Sequence, residues 1–206
     1  MKIAFEDLGK KITTLKGSHA QKLIGIDGGG GAGKSTFAEN LRKHLEHAFV
    51  IHIDDFYKGP WNARLDNKDY DINPFVDWER LESEVLKPIQ NDDAIQYHVY
   101  NWHTHTIGDL VTVPCDAIVI IEGIYATQKN FRGLYDFTIW IQADESLRLD
   151  RALRRDGEHM RFLWEEDWLP VERNYIRALN PALRADMVVL GHSSDFSKGY
   201  FDTQTP

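Results

Sequence analysis

The sequence predicts an α/β fold, a three-layer sandwich in which a parallel sheet carries helices on both faces. Five short apolar runs read as strands buried on both sides: 22–27, 49–53, 117–121, 137–141 and 187–190. Stretches with helical period alternate with them, the pattern of βαβ units. A third observation is the abrupt change from an apolar run to glycines after Asp27, which marks a tight strand-to-helix turn.

Phe5, Leu8, Ile12 and Leu15 stand at 3-4-3 spacing and predict an amphipathic helix within residues 1–20. Packing on its own sheet is the expected role, with contact to a second copy in a homo-oligomer as the alternative. After the first strand, residues from Gly33 to about Leu45 place Phe37, Ala38, Leu41 and Leu45 on one helical face. The second strand ends at Asp54-Asp55, followed by a loop rich in Asp, Asn, Tyr and Pro. A helix is expected from about Asp77, closed by Pro88. Residues 94–114 alternate differently and read as a β-hairpin inserted on the sheet. A helix from Ser146 runs into an arginine-rich stretch, 148–163, and another spans about Trp164 to Ala178. Residues 192–206 read as a polar tail.

The 206 residues fit one domain able to bury a core without disulfide or metal staples. The longest apolar run, Ala117 to Ile121, is five residues, so no membrane helix is expected. Charged residues through the first twenty positions leave no signal-peptide core. With a single cysteine, Cys115, this points to the cytoplasm. A net charge of -8 argues against a duplex nucleic-acid partner. It does not argue against a small anion, which needs only a local positive cradle.

Gly28-Gly29-Gly30-Gly31-Ala32-Gly33-Lys34-Ser35-Thr36 fits G-x-x-x-x-G-K-[ST], between a strand and a helix. Gly28, Gly31 and Gly33 let backbone N–H groups close around phosphate oxygens, and the helix N-terminus adds a favourable dipole. Lys34 is expected on the β- and γ-phosphates, Ser35 on Mg²⁺, and Thr36 beside them. This is a nucleoside triphosphate site, with ATP and Mg²⁺ as the expected occupants. A GTPase would carry N-K-x-D; Asn67-Lys68-Asp69-Tyr70 lacks the final Asp.

Ligands of open parallel sheets sit beyond the carboxyl ends of the strands. Asp54 and Asp55 stand at one such end, and alternation of side chains leaves one of them facing the phosphates. A carboxylate there can accept a hydroxyl proton or help hold Mg²⁺. Glu122 ends the most apolar strand, where an unpaired carboxylate would be costly; metal binding or a buried pair with an arginine would compensate. Arg148, Arg151 and Arg155 share one side of a helix and suit a lid over the phosphates.

The P-loop, Ile53-Asp54-Asp55-Phe56-Tyr57-Lys58, Ile121-Glu122-Gly123-Ile124 and the arginine helix follow the order seen in uridine kinases. The chain therefore resembles the uridine kinase-like P-loop kinases, a group that includes phosphoribulokinase and pantothenate kinase, from about Lys22 to Gly191. The resemblance implies a five-stranded P-loop kinase sheet with a β-hairpin over the acceptor and an arginine-rich lid. It implies Asp54 as the base for a ribose 5′-hydroxyl, near Mg²⁺, and Glu122 on the metal side. Tyr57 would line the acceptor site, Asp71 would bind ribose hydroxyls, and Arg151 and Arg155 would clamp the phosphates. Uridine kinases read the pyrimidine with a histidine in a hairpin pattern Y-D-F-x-x-H. Counted from Tyr97, the counterpart falls on Trp102, a departure. Tyr100 and Trp102 could stack on a flat substrate or pack the hairpin. The expected function is an ATP-dependent kinase for a small-molecule hydroxyl, a nucleoside first. Another alcohol of pantothenate or ribosyl type, or a non-catalytic ATP-binding module, are the alternatives.

Overall fold

The structure, a computed structural model, describes residues 1–58, 74–191 and 196–204. In chain order, β1 (Lys2–Ala4) leads into α1 (Phe5–Thr14), then β2 (Lys22–Asp27), α2 (Lys34–Arg42) and β3 (Ala48–His52). A helical stretch follows as α3 (Trp78–Leu81), a π turn (Glu82–Leu86) and α4 (Lys87–Gln90). The hairpin is β4 (Ile95–Asn101) and β5 (Thr106–Val113). Then come β6 (Ile118–Glu122), β7 (Phe137–Gln142), α5 (Glu145–Asp156) and α6 (Arg161–Leu163). A second π turn (Trp164–Trp168) leads into α7 (Leu169–Leu179), followed by α8 (Pro181–Arg184), β8 (Met187–Leu190) and β9 (Tyr200–Gln204).

The sheet runs β1-β9-β8-β7-β2-β6-β3. Its five strands from β8 to β3 are parallel, as the five apolar runs predict. Alternate residues serve the two faces: Ile24 and Ile26 join Phe37 and Leu41 of α2, whereas Leu23 joins Ile51 and Ile121 on the other side. β2 is central, with β6 and β7 on either side, so the chain reverses its winding direction beside it. The carboxyl end of β2 is thus the crevice where such sheets bind ligands.

Three expectations need correction. Residues 200–204 are not polar tail but a strand, antiparallel to β8 and to β1. Phe201 is fully buried against Phe5 and Phe37, with ring centroids 4.9 and 5.0 Å away. One large apolar side chain among Ser, Asp, Thr and Gln carries too little periodicity to announce a strand; the neighbouring edge supplies the reason for it. α1 is also shorter than residues 1–20, because β1 precedes it, and its apolar side lies in the sheet core.

Pro88, finally, does not close its helix. Lys87 N–H reaches back five residues to the Glu82 carbonyl, and the wider turn admits the proline ring that an α turn would exclude. The same device recurs before Pro170, where Leu169 N–H reaches the Trp164 carbonyl.

Candidate active site

Gly28 to Gly33 wrap the space between β2 and α2. Gly31 and Gly33 hold φ of 77° and 101°, conformations closed to most side chains. α2 starts at Lys34 with neither a side-chain cap nor an acidic residue in its first turn. Its first N–H groups and positive dipole end are therefore available to an anion. Lys34 Nζ donates to the Gly29 carbonyl at 3.0 Å, folded over the loop. Thr36 is exposed beside it at the start of α2.

Two buried carboxylates, neither anticipated from sequence, brace this loop. Asp27 is fully buried and accepts from Gly28 N, Tyr125 N, Thr127 N, Thr127 Oγ1 and Tyr175 Oη, at 2.5 to 3.1 Å. Burial pushes its carboxyl upward, and the Tyr175, Thr127 and Gly28 bonds oppose that. Three backbone N–H groups and two hydroxyls thus saturate its two oxygens. Glu172 accepts Gly30 N at 3.1 Å and pairs with Arg148 at 2.6 Å, and Arg148 returns a bond to the Gly30 carbonyl at 3.0 Å. Both partners are 5% exposed. Arg148 is thus committed to the outside of the loop and is unavailable as a lid residue.

The other predicted lid arginines separate likewise. Arg151 donates to the Gly191 carbonyl at 3.0 Å, at the end of β8. Arg155 is exposed and paired bidentately with Asp156, and it feels the charge of Asp54. Of the three, Arg155 alone is exposed, and helical periodicity does not reveal which neighbour each arginine meets.

Asp54 and Asp55 lie on a 3-10 turn (Ile53–Phe56) rather than on the strand, so alternation does not separate them. Asp54 opens to the cleft, within electrostatic range of Glu122, Lys34, His52 and Arg155. Desolvation at the cleft floor and the Glu122 charge raise its carboxyl above the ordinary aspartate range, and Lys34, His52 and Arg155 oppose them. Asp55 faces the other way: Tyr97 Oη lies 3.5 Å from its carboxylate.

Glu122 is 4% exposed and paired, though not with an arginine. Its Oε1 accepts Ser35 Oγ at 2.8 Å and lies 2.5 Å from His52 Nδ1. His52 and Glu122 are register partners at the ends of β3 and β6. The carboxylate raises the His52 imidazole to about 9. Burial pushes Glu122 upward, yet His52, Lys34 and Ser35 hold it below the usual glutamate range. The sequence signal for His52 was its place two residues before Asp54 at a strand end; only the register shows its partner.

Ser35, Glu122 and Asp54 are hard oxygen donors, and they fit magnesium. Among the described residues no three His, Cys, Asp or Glu side chains gather as a metal cage. One or two carboxylates, a hydroxyl, water and phosphate oxygens are how Mg²⁺ is ordinarily held.

Beside Asp54 stands an aromatic wall. Tyr57 is buried with its ring 5.7 Å from Tyr100 and 4.8 Å from Trp102, itself 43% exposed. Desolvation and the Asp54 charge raise the Tyr57 phenol. His105 turns back with φ 57°, its Nδ1 3.2 Å from Tyr100 Oη. Counted from Tyr100 instead of Tyr97, Y-D-F-x-x-H reads Tyr100-Asn101-Trp102-His103-Thr104-His105, and its histidine place falls on His105. Asp71 lies outside the described residues.

Residues 23–189 match the model of the Phosphoribulokinase / Uridine kinase family. The chain belongs to that family. A uridine kinase of Staphylococcus aureus (strain JH9) is 34% identical over 145 residues, 66% of this chain and 69% of the relative. A structure described as a possible uridine kinase from Bacillus stearothermophilus superposes with a TM-score of 0.68 over 89% of this chain and 96% of its own, at 22% identity, and shares the fold. Membership of this kinase family agrees with a P-loop at the switch point of a parallel sheet.

Proposed function

We propose that the protein transfers the γ-phosphoryl group of ATP to the 5′-hydroxyl of a nucleoside, a pyrimidine nucleoside first. The observation that carries this reading is the electrostatic reach of Asp54, to the P-loop lysine on one side and to Tyr57 of the Tyr57–Tyr100–Trp102 wall on the other. A base needs to reach the acceptor's hydroxyl beside the donor's phosphates, and a carboxylate that feels both Lys34 and the Tyr57 side of the cleft suits that task.

Asp54 takes the hydroxyl proton as the oxygen attacks the γ-phosphorus. The bond to the β–γ bridging oxygen breaks, leaving ADP, the 5′-monophosphate and a proton. An elevated carboxyl is the stronger base, and Lys34, His52 and Arg155 oppose the rise that desolvation and the Glu122 charge impose. Lys34 and Arg155 supply positive charge to the transferring group, with Arg151 anchoring the helix that carries Arg155. Ser35, Asp54 and Glu122 would hold Mg²⁺, which neutralises charge on the β- and γ-phosphates. The nucleoside acceptor is supported by the uridine kinase relative and by His105, at the histidine place of the hairpin pattern. Tyr57, Tyr100 and Trp102 offer flat apolar surface for its base.

The test is ADP formation with Mg-ATP against uridine, cytidine, purine nucleosides, pantothenate and simple sugars. Uridine or cytidine should be preferred. Asp54→Asn should lower kcat about 10²–10⁴-fold, and His105→Ala should raise the nucleoside KM. Tight ATP binding without turnover of any acceptor would refute the kinase, and undiminished turnover by Asp54→Asn would refute the base.

A further inference from the structure

Arg80 stands in α3, away from every motif, yet its side chain is only 13% exposed. Its Nη2 donates to two backbone carbonyls, that of Asp55 at 2.5 Å and that of His98 at 2.6 Å. The first belongs to the turn that carries Asp54, the second to β4 of the hairpin. The guanidinium also lies 4.7 Å over the Phe56 ring. Nε faces Glu84 Oε2 at 3.4 Å, four residues on, in the π turn. The same Glu84 oxygen accepts His98 N–H at 3.2 Å.

Together the two side chains meet both backbone groups of His98. That residue borders the irregularity of the hairpin, where the register shifts between His98 and Tyr100. Between the pairs those two residues make, β5 advances from Ile107 to Leu110 while β4 advances only from His98 to Tyr100, and such a bulge bends the hairpin just before Tyr100 and Trp102. Arg80 and Glu84 thereby satisfy the His98 carbonyl and N–H at the edge of this irregularity.

We propose that Arg80 and Glu84 are positioning residues, a bracket that fixes the acceptor-facing aromatic wall relative to Asp54. Neither touches the reacting atoms. Their effect passes through two backbone segments, the Ile53–Phe56 turn and β4, held at one guanidinium. A lysine cannot replace this arginine, since one ammonium lacks the planar fork and the flat face over Phe56.

The kinetic arm of the test rests on the kinase reading; a second arm does not. With uridine and Mg-ATP, Arg80→Lys and Arg80→Met should raise the uridine KM and lower kcat roughly ten- to a hundredfold, as expected for misplaced reacting groups. The ATP KM should stay within about twofold, because the P-loop is braced elsewhere. Hydrogen exchange on the unliganded protein should rise in residues 53–58 and 95–101 in both variants and in Glu84→Gln, while residues 28–36 keep wild-type protection. Wild-type uridine kinetics in Arg80→Lys would overturn the proposal. So would unchanged exchange in both segments, or a rise shared by residues 28–36, which would mark a loss of general stability instead. If the wild-type protein turns over no acceptor, the kinase reading fails, and the exchange pattern alone still decides the bracket.

Discussion

Removing the cation from the pair outside the P-loop is the sharpest energetic test of the site. In Arg148→Met the methionine keeps much of the side-chain volume but leaves Glu172 buried, with Gly30 N–H as its remaining partner from the loop. Both side chains are 5% exposed, so solvent screening, which makes surface pairs weak, does not apply. Breaking a buried pair from one side costs about 3–5 kcal/mol, because an uncompensated charge stays behind. At roughly 2–4 °C per kcal/mol for a chain of this size, the melting temperature should fall by about 6–20 °C. Adding Glu172→Gln removes the stranded charge and keeps an acceptor for Gly30 N–H, so the double variant should recover more than half of the loss. Calorimetry or urea unfolding of the four proteins in the cycle measures both quantities. A loss below about 1 kcal/mol in Arg148→Met, the range of an exposed pair, would refute the reasoning. So would a double variant no more stable than Arg148→Met.

Further outcomes follow from the same geometry. In metal-free protein His52 keeps its proton to about pH 9 when folded, against 6.5 ordinarily. Its stabilising contribution is therefore complete below pH 6.5 and lost as pH rises through 9, and urea midpoints should decline across that window. Glu122 contributes above its ordinary 4.5 and loses that contribution as pH falls through its depressed value. His52→Asn should flatten the alkaline decline, and an unchanged slope would dismiss the pair as its source. Gly31→Ala puts a Cβ 2.2 Å from the Arg148 carbonyl at φ 77°; calorimetry should show a loss of at least about 1–3 kcal/mol, and titration weakened ATP binding. Phe201→Ala should cost about 3–5 kcal/mol if β9 belongs to the core, whereas a dispensable segment would lose almost nothing.

Signals carried within a few residues were legible in the sequence. The P-loop declared itself through glycines, lysine and serine at fixed spacing, and the five parallel strands through apolar runs. α1, α2, α5 and the hairpin followed from periodicity. Asp54 and Glu122 were placed at strand ends by counting, Tyr57 by the family resemblance, and the structure brings Asp54 and Glu122 into one electrostatic neighbourhood with Lys34.

What remained hidden depends on which distant groups share a buried space. A lone histidine before Asp54 gains meaning only when strand register sets it against Glu122. Asp27 looked like the end of a strand, yet it gathers donors from Gly28, the segment after Gly123, and α7. Three arginines on one helical side meet three different fates, since a helix face fixes direction and not partners. Arg80 carried no signal at all, because its acceptors are main-chain carbonyls, which every residue possesses. The sequence by itself determined the phosphate-binding loop and the parallel sheet, both products of local chain chemistry. Tertiary structure alone decided which charges are buried together and how the hairpin is aimed, because burial raises the cost of any unpaired group and so selects partners from across the chain.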